Sequence, residues 1–297
     1  MNSLSARRRA VIMLVLTATL WSTSGLLIKL IGWGPLAIMG GRSLIAAFVV
    51  LAYLRRLDLH FTRYQVMGAV CYVAVQVLFI SATKLTTAAN AIFLQYACPI
   101  YVLILGYLFL KERPKRADWL AMAVIFAGLL LFFGDQLSFD GIYGNILAIL
   151  SGVAFAGTML FMRLQKDGAP ARTVLLGNIL AALVGLPFIL RESIQPTDLA
   201  IIAYLGVFQM GLSYVLYSVA IKRTPILESN LILALEPILN PIWVFLVIGE
   251  RPGPLALAGG LLVIGAVIFR GVVSARTPEN DPPPVAELLS PQLPPVS

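Results

Sequence analysis

The stretch KLTTAANAIFLQYACPIYVLILGYLFLKERP at residues 84–114 returns 138 residues later as KRTPILESNLILALEPILNPIWVFLVIGERP at residues 222–252. Set against each other without a gap, the two share nine identities in 31 positions. Matches of Leu or Ile between apolar helices say little. Lys84 with Lys222, Thr86 with Thr224, Pro99 with Pro237, and Glu112-Arg113-Pro114 with Glu250-Arg251-Pro252 say much more. A second alignment, offset by 134, pairs Thr17 with Ser151, Trp21 with Phe155, Ser24 with Thr158 and Lys29 with Arg163. The chain reads as one unit written twice.

Each copy is built from apolar runs of about 20 residues, the length that spans a bilayer as a helix. Ten such runs are predicted, at 10–31, 35–54, 64–83, 87–110, 117–133, 141–163, 171–190, 198–221, 226–249 and 254–274. Of the 297 residues 59% are hydrophobic and 12% charged, half the charge that a soluble chain of this length carries at about 25%. The fold class expected is an all-α polytopic membrane protein with ten transmembrane helices. That excludes a soluble enzyme, a nucleic-acid binder and a secreted disulfide scaffold. Cys71 and Cys98 lie within apolar runs and His60 is the only histidine, so no zinc set can be assembled. No Gly-Lys dipeptide occurs, hence no phosphate-binding loop, and no cofactor is expected. The run that follows Arg7-Arg8-Arg9 continues to Ile31, too long for a signal-peptide core, and reads as a retained first helix.

Five helices per copy is an odd number, so the second copy enters the membrane from the opposite side. Two inverted five-helix repeats are expected, residues 1–134 and 135–274, followed by a disordered Pro-rich tail at 275–297. The basic residues give an orientation. With the N-terminus in the cytoplasm, 17 Lys and Arg fall in cytoplasmic segments against three outside, Lys84, Arg191 and Arg251; Lys29 and Arg42 lie within spans. Both termini are expected in the cytoplasm, in an inner (plasma) membrane. Inverted repeats around a midplane site characterise secondary transporters, because mirrored halves supply two alternately open states.

Polar and aromatic side chains within spans nominate the pathway, since in lipid they cost free energy unless they face a cavity or a partner helix. Thr17, Trp21 and Ser24 lie on one face of span 1 with Ser22 beside them; Tyr72, Gln76, Phe79 and Thr83 make a stripe on span 3. Asn90 and Tyr101 on span 4, Ser151, Phe155 and Thr158 on span 6, and Gln209, Ser213 and Tyr217 with Tyr214 on span 8 complete the set. At the offset of 138, Gln76 faces Tyr214 and Phe79 faces Tyr217. The candidate substrate-binding residues are Trp21, Ser22, Tyr72, Gln76, Phe79, Asn90, Tyr101, Phe155, Tyr214, Tyr217, Glu236 and Asn240. The competing role for each is to glue helices together. Aromatic faces with a few fixed amides and hydroxyls suit a small organic molecule better than a bare ion.

Glu236 is the one carboxylate near the centre of a span, followed by Pro237 and Asn240-Pro241. The prolines remove backbone donors, so span 9 is expected to kink or unwind there. Glu236 is open to four roles: proton carrier, ligand of a substrate ammonium, partner of an internal cation, or stabiliser of the kink. Arg42, two turns into span 2, is open to holding a carboxylate, a backbone carbonyl or the structure itself. Lys29 is read as snorkelling to the interface.

These residues resemble the drug/metabolite transporter superfamily, in particular its ten-helix exporters with two EamA-type repeats. The marks are Trp21 to Lys29 (WSTSGLLIK), Pro35 with Arg42, Glu112 and Glu250 at the loops, and Leu235-Glu236-Pro237; together they cover residues 10–274. The sequence is most similar to the aromatic amino-acid exporters of bacterial inner membranes. The resemblance implies that helices 1–4 and 6–9 surround a central cavity, with helices 5 and 10 peripheral. It implies a secondary exporter of amino acids, aromatic and other neutral ones, and related metabolites, working by alternating access. A broad exporter of drugs or cationic metabolites using Glu236 is the main alternative. A channel or scramblase ranks below it, as does an intramembrane enzyme built on Ser22, Ser24 and Lys29; the chain is expected not to be an enzyme. A monomer suffices, because both repeats are present in one chain.

Overall fold

The computed structural model describes residues 3–56, 60–86, 91, 94–134, 141–193, 195–239, 243, 246 and 253–276. Among these residues there is no strand; the fold is helical throughout. Helix α1 (Ser3–Ser22) and α2 (Ser24–Leu30) occupy the first apolar run, interrupted at Thr23, whose hydroxyl donates back to the Leu20 carbonyl. Helix α3 (Pro35–Leu54) begins on a proline, which has no N–H to leave unsatisfied there, and ends where Arg55 turns left-handed at φ 59°. Helix α4 (Arg63–Leu85) opens with a capping box in which Thr62 and Gln65 satisfy each other's backbone N–H.

Then come α5 (Cys98–Leu110), α6 (Arg116–Phe133), α7 (Ile142–Arg163) and α8 (Ala171–Ile189). Helix α9 (Pro196–Ala220) is wound as a π-helix over Leu205–Leu212. Helices α10 (Ile226–Leu233) and α11 (Pro254–Arg276) complete the described fold. Among the described residues six helical stretches are long and apolar enough to cross a membrane: Ala6–Ile28, Pro35–Leu54, Arg63–Ala82, Ile142–Arg163, Ala171–Ile189 and Pro196–Ala220. Cys98–Leu110 and Leu257–Phe269 are shorter apolar helices.

Burial is arranged for lipid. Phe48, Leu183, Leu261 and Ile268 are each at least 60% exposed, whereas Thr17, Ser43, Ser151, Asn178 and Ser213 are fully buried. In water this distribution would forfeit the hydrophobic term and bury polar groups at a cost. In a bilayer the outward apolar side chains are solvated by acyl chains, and Thr17, Ser151, Asn178 and Ser213 find partners inside the bundle.

The principal packings are α3 on α8, α4 on α7 and α6 on α11. Helix α3 also packs on the π-helical part of α9, and α4 on α8; α1 packs on the second half of α9. Where α3 crosses α8, backbone meets backbone: a Cβ on Gly40 would lie 2.7 Å from the Gly185 Cα. Gly206 and Gly211 bring α9 equally close to Ile45 and Val49 of α3.

Candidate functional site

Two helix interruptions define the middle of the bundle. Ahead of Pro99 the chain makes a tight turn at Tyr96–Ala97, closed by the Ala97 N–H on the Leu94 carbonyl at 3.2 Å. Ahead of Pro237 it makes another at Ala234–Leu235, closed by the Leu235 N–H on the Ile232 carbonyl at 3.3 Å. Both are i→i−3 bonds, and the two donors stand 138 residues apart, as do the two acceptors. Each proline lacks the N–H that would continue the α-helical ladder, which accounts for the tighter turn. The expected kink of span 9 is thus observed, and an equivalent one precedes α5. The two turns touch through side chains: the Tyr96 hydroxyl donates to Glu236 Oε2 at 2.7 Å. Next to the first turn, a Cβ on Gly152 of α7 would sit 2.9 Å from the Gln95 carbonyl oxygen.

Around these turns lies an aromatic cluster. Trp21, in the last turn of α1, has its ring centroid 4.9 Å from Tyr214, 5.9 Å from Tyr217 and 5.9 Å from Phe155. Tyr72 meets Tyr214 edge-on at 5.0 Å. The indole Nε1 of Trp21 donates to Ser213 Oγ at 2.8 Å, and the Thr17 hydroxyl reaches the Ser213 carbonyl at 3.2 Å. The polar stripes of α1 and α9 therefore face each other. Tyr72 donates its hydroxyl to Asn178 Oδ1 at 3.0 Å, and its ring lies against Gly177, where a Cβ would come within 2.6 Å.

Arg42 enters this cluster from α3. Its Nη2 donates to Gln76 Oε1 at 2.9 Å and its Nη1 to Gln209 Oε1 at 3.4 Å. Among the described residues neither a carboxylate nor a backbone carbonyl receives it; two side-chain amides do. Gln209 owes its position to the π-helical winding of α9, a distortion that recurs at functional sites because it shifts which residues face inward. Arg42 Nε, Gln76 Nε2 and the Tyr217 hydroxyl are buried with no hydrogen-bond partner among the described residues.

The structure thus gathers Trp21, Tyr72, Gln76, Phe155, Tyr214 and Tyr217, with Glu236 held through Tyr96. Ser22 lies beside them, its hydroxyl accepting from Trp243 Nε1 at 2.8 Å and donating to the Thr19 carbonyl. Tyr101 packs half-buried against the same core, near Gly152. Phe79 is not in the cluster: it packs with Ala82, Ala91 and Ala148 in a separate core between α4 and α7. Its stripe continues one turn too far along α4 to reach the aromatic rings. Asn90 and Asn240 lie outside the described residues, as does the side chain of Lys29. Tyr96, Asn178 and Trp243 complete the contacts and are absent from the residues singled out in the sequence; Gln209 belongs to the span 8 stripe read there, though not to the candidate binding set. Asn178 and Gln209 carried a signal, a buried amide within an apolar run. Tyr96 carried none, since only the turn ahead of Pro99 aims it at Glu236.

One end of the bundle is tied by ion pairs. Arg7 Nη2 meets Glu228 Oε2 at 2.7 Å, both side chains almost fully buried. Arg163 Nε meets Glu112 Oε1 at 2.9 Å, and Arg163 Nη1 donates to the Ile221 carbonyl at 2.6 Å. The other oxygen of Glu112 accepts the Ile226 N–H at 2.8 Å, capping α10. These contacts join the start of α1 and the start of α10 to the ends of α5 and α7. At the opposite end, Glu192 accepts the Gly34 N–H at 2.7 Å and the Ser193 carbonyl accepts Trp33 Nε1 at 3.1 Å, fastening the α2–α3 loop to the α8–α9 loop. No group of three His, Cys, Asp or Glu side chains assembles among the described residues.

Known proteins place this architecture. The chain is 26% identical over 273 residues to the uncharacterized transporter YwfM of Bacillus subtilis, covering 85% of this chain and 92% of that one. It is 25% identical over 249 residues to the threonine/homoserine exporter RhtA of Escherichia coli, covering 80% of each. A solved crystal structure shares the fold with a TM-score of 0.79, over 89% of this chain and 98% of its own, at 18% identity. One family model, the EamA-like transporter family, matches twice, at residues 8–134 and again at 142–271. The chain belongs to the EamA-like transporter family.

Proposed function

We propose that this protein is a secondary transporter that exports amino acids, aromatic and other neutral ones, and related metabolites by alternating access. The observation that carries this reading is the aromatic and amide cluster held between two equivalent helix interruptions, at Tyr96–Ala97 and Ala234–Leu235. Interrupted helices at a midplane site expose backbone groups and fixed dipoles to a substrate, and they hinge. The aromatic faces of Trp21, Tyr72 and Tyr214 offer apolar contact, while Arg42, Gln76 and Glu236 offer polar groups that fix an orientation. The printed name of RhtA, a threonine/homoserine exporter, supports the amino-acid class.

Ten transmembrane helices in two inverted halves, 1–134 and 135–274, belong to the same proposal. The double family match supports the duplication. The inversion is supported by the ion-paired end, where span 4 ends with α5 and its counterpart, span 9, begins with α10. The packing supports a two-fold relation of the halves, exchange of which turns the contact of α4 with α7 into that of α9 with α1. The same exchange turns α4 on α8 into α9 on α3, and both members of each pair occur. Contacts of α3 with α8 and of α6 with α11 map onto themselves, as contacts on a two-fold axis must. In the inner membrane such a protein would have both termini in the cytoplasm, and one chain would suffice as the transporting unit.

The test is counterflow in liposomes containing purified protein, with labelled tryptophan or threonine outside and a panel of unlabelled solutes inside. Saturable accumulation driven by internal amino acids is expected. A linear, non-saturating flux would indicate a pore instead. Accumulation driven by cationic drugs and by no amino acid would replace this reading with that of a cation exporter using Glu236.

A further inference from the structure

Arg42 and Glu236 are two ionisable groups of opposite sign at the centre of the bundle, and neither is paired with an opposite charge among the described residues. Arg42 rests on the amide oxygens of Gln76 and Gln209, and Glu236 on the hydroxyl of Tyr96. No described carboxylate lies within ion-pair distance of Arg42, and no described cation within that distance of Glu236. The end of the bundle shows the ordinary solution, where Arg7 with Glu228 and Arg163 with Glu112 compensate each other directly. Removing a charge from water is costly unless an opposite charge and hydrogen bonds replace the lost hydration. The central pair departs from that solution on both sides at once.

The donors around Arg42 are also incompletely used. Arg42 is 8% exposed and Gln76 7%, yet Arg42 Nε and Gln76 Nε2 have no acceptor among the described residues. Two buried N–H donors on adjoining side chains lack an acceptor, and a carboxylate supplies two acceptor oxygens. Glu236 offers the converse, an anionic acceptor beside the Tyr96 hydroxyl. Tyr214 lies within electrostatic reach of both Arg42 and Glu236. Its ring is in contact with Trp21 and Tyr72.

We infer that Arg42 and Glu236 are the two poles of a zwitterion clamp, Arg42 with Gln76 receiving the carboxylate of an amino acid and Glu236 with Tyr96 its ammonium. The inference rests on the amino-acid reading above and adds how that class is recognised. A zwitterion neutralises both charges in one binding event. A cation lacking the carboxylate leaves Arg42 uncompensated, and an anion lacking the ammonium leaves Glu236 so. The aromatic rings of Trp21, Tyr72 and Tyr214 face the side chain and tolerate variation there. The clamp therefore discriminates by charge pattern and only weakly by side chain, in contrast to an exporter of organic cations.

The test uses the full-length protein in liposomes, counterflowing labelled tryptophan or threonine. Two analogues compete from outside: the methyl ester, which keeps the ammonium, and the same acid with hydrogen in place of the amino group. Against the wild-type protein each analogue is expected to compete at least about tenfold more weakly than the parent, the loss of one charge-assisted pair. Arg42→Gln is expected to abolish the preference for parent over ester while keeping the preference over the deaminated acid. Glu236→Gln is expected to do the reverse. A general structural defect would not split the two preferences in this way. If either variant fails to fold, the wild-type competition series still decides. Ester or deaminated acid competing as well as the parent in wild-type protein overturns the clamp and leaves the amino-acid carrier standing. Absence of counterflow with every amino acid overturns the carrier reading and the clamp with it.

Discussion

The Tyr96 hydroxyl and the Glu236 carboxylate, 140 positions apart in the chain, are joined by a 2.7 Å hydrogen bond that bridges two helix interruptions. Each residue sits at a break, Tyr96 within the turn ahead of Pro99 and Glu236 just after the turn ahead of Pro237. The bond therefore couples equivalent places in the two halves where the helical ladder is open. Tyr96→Phe removes the donor and leaves a partly buried acceptor, a loss of about 1–3 kcal/mol. A lowered thermal midpoint in detergent is expected. In a double-mutant cycle with Glu236→Gln the two losses should fall short of adding. Strict additivity would mean that the contact contributes nothing.

Pro99→Ala and Pro237→Ala restore the missing backbone N–H and permit the α-helical ladder to run through the breaks. Pro99 stands in the first turn of α5 and Pro237 directly after its turn, positions that proline tolerates, so each variant should melt close to wild type, within about 1 kcal/mol. Transport should fall instead. A bias of about 1.4 kcal/mol toward one conformation slows alternation about tenfold. Counterflow rates and melting temperatures measured on the same preparations check this. Undiminished transport by both variants would show that the breaks do not serve the cycle.

The sequence carried much of this arrangement and missed a definable part. Apolar runs separated by charge, Gly and Pro placed α3, α4, α6 to α9 and α11 to within two residues at each end, but not the start of α1 or the breaks ahead of α5 and after α10, because in lipid a helix is expected to be continuous to satisfy its own backbone. Pro237 announced the kink beside Glu236. Stripes at spacings of three and four found Trp21, Tyr72, Gln76, Phe155, Tyr214 and Tyr217, because a face that shuns lipid must point inward. Periodicity along one helix cannot say how far along its axis a partner lies, which is why Phe79 was grouped with rings it does not reach. Nor can it foresee a change of winding. Gln209 faces Arg42 through a π-helical segment, and Tyr96 faces Glu236 through a turn, neither of which has a residue pattern of its own.

Gly185 and Gly40 set a backbone-to-backbone crossing, and the atoms in the way of any side chain are main-chain atoms. A Cβ at Gly185 would collide with the Gly40 Cα and stand 2.8 Å from the Leu36 carbonyl oxygen, so α3 and α8 must separate. Gly185→Ala is expected to cost at least about 1–3 kcal/mol, the usual range for overpacking. Gly265→Ala is the matched control. Nothing lies within 4 Å of a Cβ there, and alanine is the better helix former by up to about 1 kcal/mol. Detergent melts of the two variants should move in opposite directions or leave Gly265→Ala unchanged. Equal destabilisation would remove the close crossing from the account.

Glu112 serves two partners with two oxygens, the Arg163 Nε and the Ile226 N–H. Its loss would strip the cap from α10 and leave Arg163 buried without its carboxylate, a combination in the range of about 3–5 kcal/mol when one member of a buried pair is removed. Glu112→Ala should therefore lower the melting temperature substantially, and Glu112→Gln by less, because an amide oxygen can still accept one of the two bonds. Arg163→Lys should not be conservative: Arg163 spans Glu112 and the Ile221 carbonyl with separate nitrogens, and a single ammonium cannot occupy both positions. An Arg163→Lys variant as stable as wild type would contradict that geometry.

The distribution of Lys and Arg makes a prediction about sidedness that chemistry on whole cells can decide. Arg7, Arg163, Lys222 and Arg223 belong to the 17 basic residues expected in the cytoplasm, together with Arg55 and Arg56 of the exposed α3–α4 loop. Arg191, in the α8–α9 loop, is one of three expected outside. With Cys71 and Cys98 replaced by alanine, single cysteines introduced in place of Arg56 and of Arg191 should respond oppositely to a membrane-impermeant maleimide. Arg191→Cys is expected to react on intact spheroplasts, and Arg56→Cys only after the membrane is opened. The reverse order would place the N-terminus outside and, since basic loops are retained by the cytoplasmic face, would break the positive-inside rule for this chain. Reaction at both positions on intact spheroplasts would mean that the α3–α4 and α8–α9 loops share one face, which an inverted second half forbids.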